Sequence, residues 1–128
     1  MQTRTKKLIL IVEDEKAIAL ALAQKFSLVR EFDFINAFDG EAGLKKAVEK
    51  EPDLILLDII LPKMDGIEML KRLRQDEKGK NIKVIILSNL SNPDKEREAK
   101  ELGVTDYIIK ADWRIDDIVA LIERKLAQ

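Results

Sequence analysis

Short apolar runs alternate with amphipathic stretches along almost the whole chain. Five runs are rich in Leu, Ile and Val, and we predict that they form strands. Within residues 16–30, apolar side chains such as Leu22 and Phe26 recur at the spacing of one helical face, which predicts a helix. Runs that are apolar on both faces and alternate with helices are typical of a parallel sheet covered on both sides. The predicted strands are 8–12, 33–38, 53–58, 83–87 and 105–109.

An amphipathic stretch follows each predicted strand, so the predicted fold class is a doubly wound α/β domain that spans residues 1–128. The fourth helix is expected to begin with Asn92 as its N-cap and Pro93 in its first turn. Its apolar side chains are only those of Ala99 and Leu102, so we expect it to bury little surface. The inner faces of the second, third and last helices are predicted to consist of Leu44, Ala47 and Val48, of Ile67, Leu70 and Leu73, and of Ile115, Ile118, Val119 and Ile122.

The composition narrows the possible functions. Lys and Arg together number 23 and Asp and Glu 24, and a formal net charge of -1 does not support a nucleic-acid-binding surface. The lack of cysteine and histidine excludes disulfides, thiolate or histidine metal sites and a Ser-His-Asp triad. The apolar run 8–12 is too short for a signal peptide or a membrane span, so we expect a cytoplasmic protein that binds neither nucleic acid nor membrane.

Polar and charged side chains follow the predicted strands where each strand ends. In doubly wound folds ligands bind beyond these carboxyl ends, so residues far apart in the chain are expected to meet there. Taken singly, the acids and the serine would suit helix caps or turns, and the lysine a solvated loop. Their convergence favours a functional site. The first strand delivers Glu13 and Asp14, the third Asp58, the fourth Ser88 and the fifth Lys110, while Asp39 follows the second strand, which we expect at the sheet edge.

The predicted carboxylate cluster implies either a held proton or a bound cation, because like charges repel. With oxygen ligands alone, a hard ion such as Mg²⁺ is the natural choice, and protein-bound Mg²⁺ usually also meets phosphate. A carboxylate can itself accept a phosphoryl group and form an acyl phosphate. Asp58 interrupts an apolar stretch at a strand end, where we expect a metal ion and Lys110 to offset its charge, and we expect Lys110 and the Ser88 hydroxyl to bind phosphoryl oxygens.

Four segments, in this order, make the chain similar to the receiver domain of two-component response regulators. They are VEDE (12–15), LLDIILPKMDG (56–66), ILS (86–88) and YIIK (107–110). The second is the most specific, with Asp58, Pro62, Asp65 and Gly66 in the family's order. The resemblance covers about residues 6–127 and implies a flavodoxin-like parallel sheet of strand order 2-1-3-4-5, with the site between the first and third strands.

The resemblance also implies a phosphorylation-dependent signalling switch. A sensor histidine kinase or a phosphotransfer protein would phosphorylate Asp58 in a reaction that depends on Mg²⁺. By position, Asp14 would bind the ion directly and Glu13 through water, and Asp58 and the main-chain carbonyl of Ile60 would be further ligands. The domain would catalyse its own phosphotransfer and dephosphorylation without being an enzyme in the classical sense.

The response to phosphorylation is implied in the same way. Ser88 and Lys110 would bind the phosphoryl group, and Tyr107 would be the aromatic side chain that reorients on activation. A downstream protein would bind the face formed by the fourth helix, the fifth strand and the last helix.

Two positions depart from the family's pattern. The family usually has a proline with a cis bond after the lysine, whereas Ala111 follows Lys110 here, and a non-proline cis bond costs about 2.5–4 kcal/mol. The residue after the switch serine is typically small, but here it is Asn89, and we expect it to hinder the water that hydrolyses the acyl phosphate. Trp113, in the same loop as Ala111, is expected to pack under the last helix.

Three other functions compete with the signalling switch. An aspartate-nucleophile phosphatase would need a second acid two residues after Asp58, where this chain has Ile60. A flavodoxin-like cofactor binder would need a phosphate-cradling Ser, Thr or Gly-rich loop after the first strand. A receiver-like interaction module that is never phosphorylated would have no use for the complete set of acids, serine and lysine.

Overall fold

A computed structural model of the chain describes residues 6–89 and 91–127. Residues 1–5, Leu90 and Gln128 lie outside the described residues, and with them both ends of the predicted 1–128 domain. Strands and helices alternate throughout. The strands are β1 (Lys7–Val12), β2 (Phe32–Ala37), β3 (Leu54–Leu57), β4 (Lys83–Ser88) and β5 (Asp106–Ile109), and the helices are α1 (Lys16–Phe26), α2 (Gly40–Lys50), α3 (Gly66–Gln75), α4 (Pro93–Glu101) and α5 (Ile115–Ala127).

The strands lie parallel in one sheet of order β2-β1-β3-β4-β5, which confirms the predicted fold class and strand order. The chain forms β2 on one side of β1 and then returns to place β3 on the other side. The register pairs Val12 with Leu57 and Leu57 with Ile86, so β1 and β3 end at the same level and β4 continues for two more residues to Ser88. The residues that follow these strands therefore meet at the carboxyl edge, at the switch point between β1 and β3.

Each face of the sheet has its own apolar core. Leu10 and Val12 of β1 face the side covered by α2, α3 and α4. Ile9 and Ile11 face the side covered by α1 and α5, where the partly buried Trp113 also packs, as predicted. Side chains of β1 alternate strictly between the two buried faces, and a slip of one residue would exchange those faces. The strand register is therefore fixed, and so are the positions of the residues at the carboxyl edge. Among the described residues, no helix has the length and apolar character needed to cross a membrane.

Three helices begin with a polar side chain that caps the first turn. Asp39 accepts a hydrogen bond from the Ala42 amide at the start of α2, and Asp65 accepts one from the Glu68 amide at the start of α3. The Asn92 side chain caps α4 with Pro93 in the first turn, which confirms that prediction. Since Asp65 caps α3, the ordinary alternative for Asp58, a cap of the same helix, is wrong.

The first helix is shorter than its apolar spacing predicts. The spacing predicts a helix over residues 16–30, but α1 ends at Phe26. The Ser27 hydroxyl turns back to the carbonyl of Gln24, and the Val29 amide bonds to Phe26 in a turn that leads into β2. Val29 still packs against the core from this turn, so its apolar character does not require a helix.

The fourth helix is held mainly at its C-terminal end. Ala99 is its one buried residue, which agrees with the expectation of a small buried surface. The guanidinium of Arg74, on α3, donates to the Leu102 carbonyl at 2.7 Å and to the Gly103 carbonyl at 3.4 Å, directly after α4. It also bonds to the carbonyls of Gly79, Lys80 and Ile82 before β4. Arg74 thus links the C-terminal end of α4 to the segment that precedes β4.

Candidate functional site

Asp58 directly follows β3 and lies almost completely buried at the carboxyl edge. Its carboxylate is held from two sides: Oδ2 lies 3.0 Å from the Lys110 ammonium, and Oδ1 accepts a bond of 3.3 Å from the Ile60 amide. Its side chain is only 5% exposed, so this ammonium is what offsets the cost of placing a charge between apolar residues.

Lys110, the first residue after β5, lies at the centre of the site. Its Nζ atom lies 2.7 Å from Glu13 Oε1, 2.8 Å from Glu15 Oε1 and 3.0 Å from Asp58 Oδ2. Burial alone would lower the pKa of Lys110, but hydrogen bonds to the three carboxylates outweigh burial and raise that pKa well above its usual range. The side chain is 8% exposed, so the alternative of a solvated loop lysine is wrong.

Glu13 is the most deeply buried acid of the cluster. Burial raises the pKa of Glu13 to about 7, and the nearby charge of Asp58 acts in the same direction, against the bonds from Lys110 and from the Glu15 amide. Both Glu13 carboxylate oxygens face these groups, at 2.7 Å from the Lys110 ammonium and 3.0 Å from the Glu15 amide. The site therefore holds more negative charge than a single lysine neutralises.

The acids at the ends of β1 and β3 fit a hard divalent cation. Carboxylate oxygens of Glu13, Asp14 and Asp58 all lie within 4.8 Å of one another, with Glu13 and Asp58 buried and Asp14 exposed. An all-oxygen donor set that is partly open to water is what Mg²⁺ favours, because it retains several water ligands. Ile60, whose carbonyl was predicted as a further ligand, lies in the exposed loop that follows Asp58, and its amide already bonds to that residue.

The two predicted switch residues are linked to each other. Ser88 ends β4 and is fully buried, close to the cluster at the same edge. The Tyr107 side chain, on β5, shares a hydrogen bond with the Ser88 side chain. Burial raises the pKa of Tyr107, and that bond acts in the opposite direction. In this structure, therefore, Tyr107 already reaches Ser88, which couples β5 to the site.

Glu15 and Asn89 form a contact that sequence patterns did not reveal. Glu15 lies at the start of α1, and its Oε1 accepts a bond of 3.2 Å from Asn89 Nδ2 besides meeting Lys110. The bond from Lys110 lowers the pKa of Glu15. The VEDE segment (12–15) contains Glu15, but nothing in a linear pattern shows that this side chain turns back toward Lys110.

The loop after Lys110 differs from the family's usual one. The Lys110–Ala111 peptide bond is trans and opens a short 3-10 turn, Lys110–Asp112. Lys110 nevertheless reaches all three carboxylates. A proline at position 111 is not needed to aim this ammonium at Asp58.

Comparisons with known proteins agree with this geometry. A family model described as the response regulator receiver domain matches residues 9–123. The alkaline phosphatase synthesis transcriptional regulatory protein of Bacillus subtilis is 42% identical over 105 residues, which are 81% of this chain and 42% of that protein. Sporulation initiation phosphotransferase F of the same organism is 36% identical over 118 residues, which are 92% of each chain.

Solved structures give the same result. A CheY-like response regulator receiver domain protein from Methanospirillum hungatei superposes with a TM-score of 0.87 at 27% identity, over 95% of this chain and 94% of that one. The chain spans less than half the length of several transcriptional regulators that it matches, between 40% and 48%.

Proposed function

We propose, because the chain belongs to the family of response regulator receiver domains, that it is a signalling switch that accepts a phosphoryl group on Asp58. One observation carries the proposal: the Lys110 ammonium lies 3.0 Å from Asp58 Oδ2, beside acids whose oxygens lie within 4.8 Å of one another. An Asp58 oxygen would form the new P–O bond while the P–N bond of a phosphohistidine breaks, which leaves an acyl phosphate on Asp58 and imidazole on the donor.

The residues around Asp58 have distinct roles in this proposal. Lys110 would exchange a carboxylate partner for a phosphoryl oxygen, and the Ser88 hydroxyl would donate to another. Asp14, Asp58 and the Ile60 carbonyl would hold Mg²⁺, with Glu13 through water. When bound, the ion supplies positive charge toward the phosphoryl oxygens.

The proposed donor is a protein. We assign this role to a sensor histidine kinase or a phosphotransfer protein, and a relative that is similar over 92% of its length is named a phosphotransferase. We place the reaction in the cytoplasm. The chain has no cysteine and therefore forms no disulfide that would require an oxidising compartment. The near balance of charges supports a partner that is a protein rather than nucleic acid or a membrane surface.

The proposed output surface consists of α4, β5 and α5. A groove of about 540 Å³ lies between α4 and β5, and its lining includes Pro93, Lys100 and Tyr107. Arg74 fixes the C-terminal end of α4, and Asn92 starts the helix soon after Ser88. Drawing the Ser88 hydroxyl toward a phosphoryl group would therefore move the N-terminal end of α4 about a fixed C-terminal end, and would alter the groove.

Mass spectrometry after treatment with acetyl phosphate tests the acceptor function. We expect one added phosphoryl group in the presence of Mg²⁺ and little in its absence. A receiver-like module that is never phosphorylated would remain unmodified in both samples. An aspartate-nucleophile phosphatase would release inorganic phosphate continuously, with little protein adduct.

Replacing Asp14 by alanine is expected to weaken Mg²⁺ binding more than replacing Glu13. The Asp14 carboxylate is exposed and is the direct ligand in this proposal, whereas the Glu13 oxygens already face Lys110 and the Glu15 amide. Calorimetric titration of Asp14→Ala and Glu13→Ala with Mg²⁺ measures the difference. Equal losses of affinity in the two variants would contradict direct ligation by Asp14 and ligation through water by Glu13.

Beryllofluoride, a mimic of the phosphoryl group, is expected to change hydrogen exchange mainly within residues 88–110. This range contains Ser88, Tyr107 and α4. Because Ala99 is the one buried residue of α4, we expect a shift of this helix to cost little free energy. Exchange measured by mass spectrometry, with Asp58→Asn as the control, tests the route. Changes confined to 14–30 or 41–51 would contradict it.

A further inference from the structure

The Glu15 side chain joins three strand ends of the site. Glu15 is the N-cap residue of α1, yet its side chain makes no capping bond. A single oxygen, Oε1, instead lies 2.8 Å from Lys110 Nζ and 3.2 Å from Asn89 Nδ2. These contacts link the segment after β1 to the segments after β4 and β5.

Glu15 also changes the charge balance of the site. With Mg²⁺ bound, Lys110 and the ion would together balance the charges of Glu13, Asp14 and Asp58. The carboxylate of Glu15, 45% exposed at the mouth of the site, remains as an excess negative charge. A donor with a highly charged phosphoryl group must approach this carboxylate, and the repulsion is weakly screened over such short distances.

Asn89 connects this contact to the switch. It directly follows Ser88, and its amide is the second group that holds the Glu15 carboxylate. Movement of Ser88 toward a phosphoryl group would displace Asn89 as well. The contact between Glu15 and Asn89 would then be released together with the exchange of partners at Lys110.

We infer that Glu15 is a positioning and selectivity residue. Its carboxylate holds the Lys110 ammonium until a phosphoryl oxygen takes the place of that carboxylate, and its charge disfavours small donors that carry two negative charges. The inference rests on the proposed function, since it concerns the same site. It predicts that the site discriminates among phosphodonors by their charge.

Rates of phosphorylation by two small donors test the inference. At neutral pH acetyl phosphate carries two negative charges and phosphoramidate a net single one. With saturating Mg²⁺, we expect Glu15→Gln to raise the rate with acetyl phosphate about fivefold, the scale of one partly exposed charge pair, and the rate with phosphoramidate clearly less. The gain should shrink at high salt.

Two control variants separate charge from structure. Glu49→Gln removes the same charge from an exposed position near the C-terminal end of α2, away from the site, and should leave both rates unchanged. Glu15→Asp keeps the charge and should keep the ratio of the two rates near that of the unaltered protein. Circular dichroism of each variant checks that the fold is retained.

The outcomes distinguish the inference from the proposed function. If Glu15→Gln changes the phosphorylation rates with both donors equally, or changes neither rate, the selectivity role is overturned. Phosphorylation of Asp58 would be unaffected by that result. If the unaltered protein accepts a phosphoryl group from neither donor and does not bind beryllofluoride, the proposed function fails, and the inference fails with it.

Discussion

Replacing Asp58 by asparagine is expected to abolish phosphorylation by acetyl phosphate and Mg²⁺. The amide has nearly the volume of the carboxylate and can still accept a bond from Lys110, but it is not a competent nucleophile for phosphoryl transfer. The measurement is the mass of the intact protein, with the unaltered chain beside it. Because the change removes one acid from a crowded cluster, we expect the folded state to be at least as stable as before.

Asp65→Asn is a matched control for this prediction. Asp65 lies in the loop that follows Asp58, and its carboxylate caps α3 through the Glu68 amide. Asparagine caps helices about as well as aspartate, so this variant should fold and be phosphorylated normally. A phosphoryl adduct that persists in Asp58→Asn would show that another residue is the acceptor.

The fold was predictable because its pattern is local and repeated. Runs such as Leu54–Leu57 are apolar on both faces, and only a sheet covered on both sides buries them completely. Element ends were less predictable. Val29 follows Phe26 at the spacing of one helical face, so the apolar pattern continues past the end of the helix. Only the hydrogen bonds around Ser27 show where α1 ends.

The centre of the site was predictable from strand ends, since parallel strands in register bring their carboxyl ends together. Lys110 and Asp58 are far apart in the chain, yet each directly follows a strand. The contacts of Glu15 and Arg74 were not predictable in this way. Both depend on the path of a long side chain after folding, which no periodicity encodes.

Gly66 explains one part of the LLDIILPKMDG segment that strand ends do not. It is the first residue of α3, and its amide donates to the Ile59 carbonyl at 2.7 Å. A Cβ atom at this position would lie 2.2 Å from the Asp58 carbonyl oxygen and 2.8 Å from Ile59 Cα. These are main-chain atoms of the segment that carries the proposed phosphoacceptor, so they cannot move aside without moving Asp58.

Gly66→Ala is therefore expected to lower the free energy of unfolding by about 3 kcal/mol, the scale of severe overpacking, and to slow phosphorylation by displacing Asp58. Gly43→Ala is the matched comparison, because a Cβ there would meet side-chain atoms, Val12 Cγ1 at 2.8 Å and the flexible Met69 Sδ at 3.0 Å. Inside a helix, alanine also gains about 1 kcal/mol over glycine, so this variant should lose less stability. Urea denaturation measures both losses. Equal stabilities for Gly66→Ala and the unaltered chain would mean that the main chain at Asp58 yields freely, which the close approach of α3 argues against.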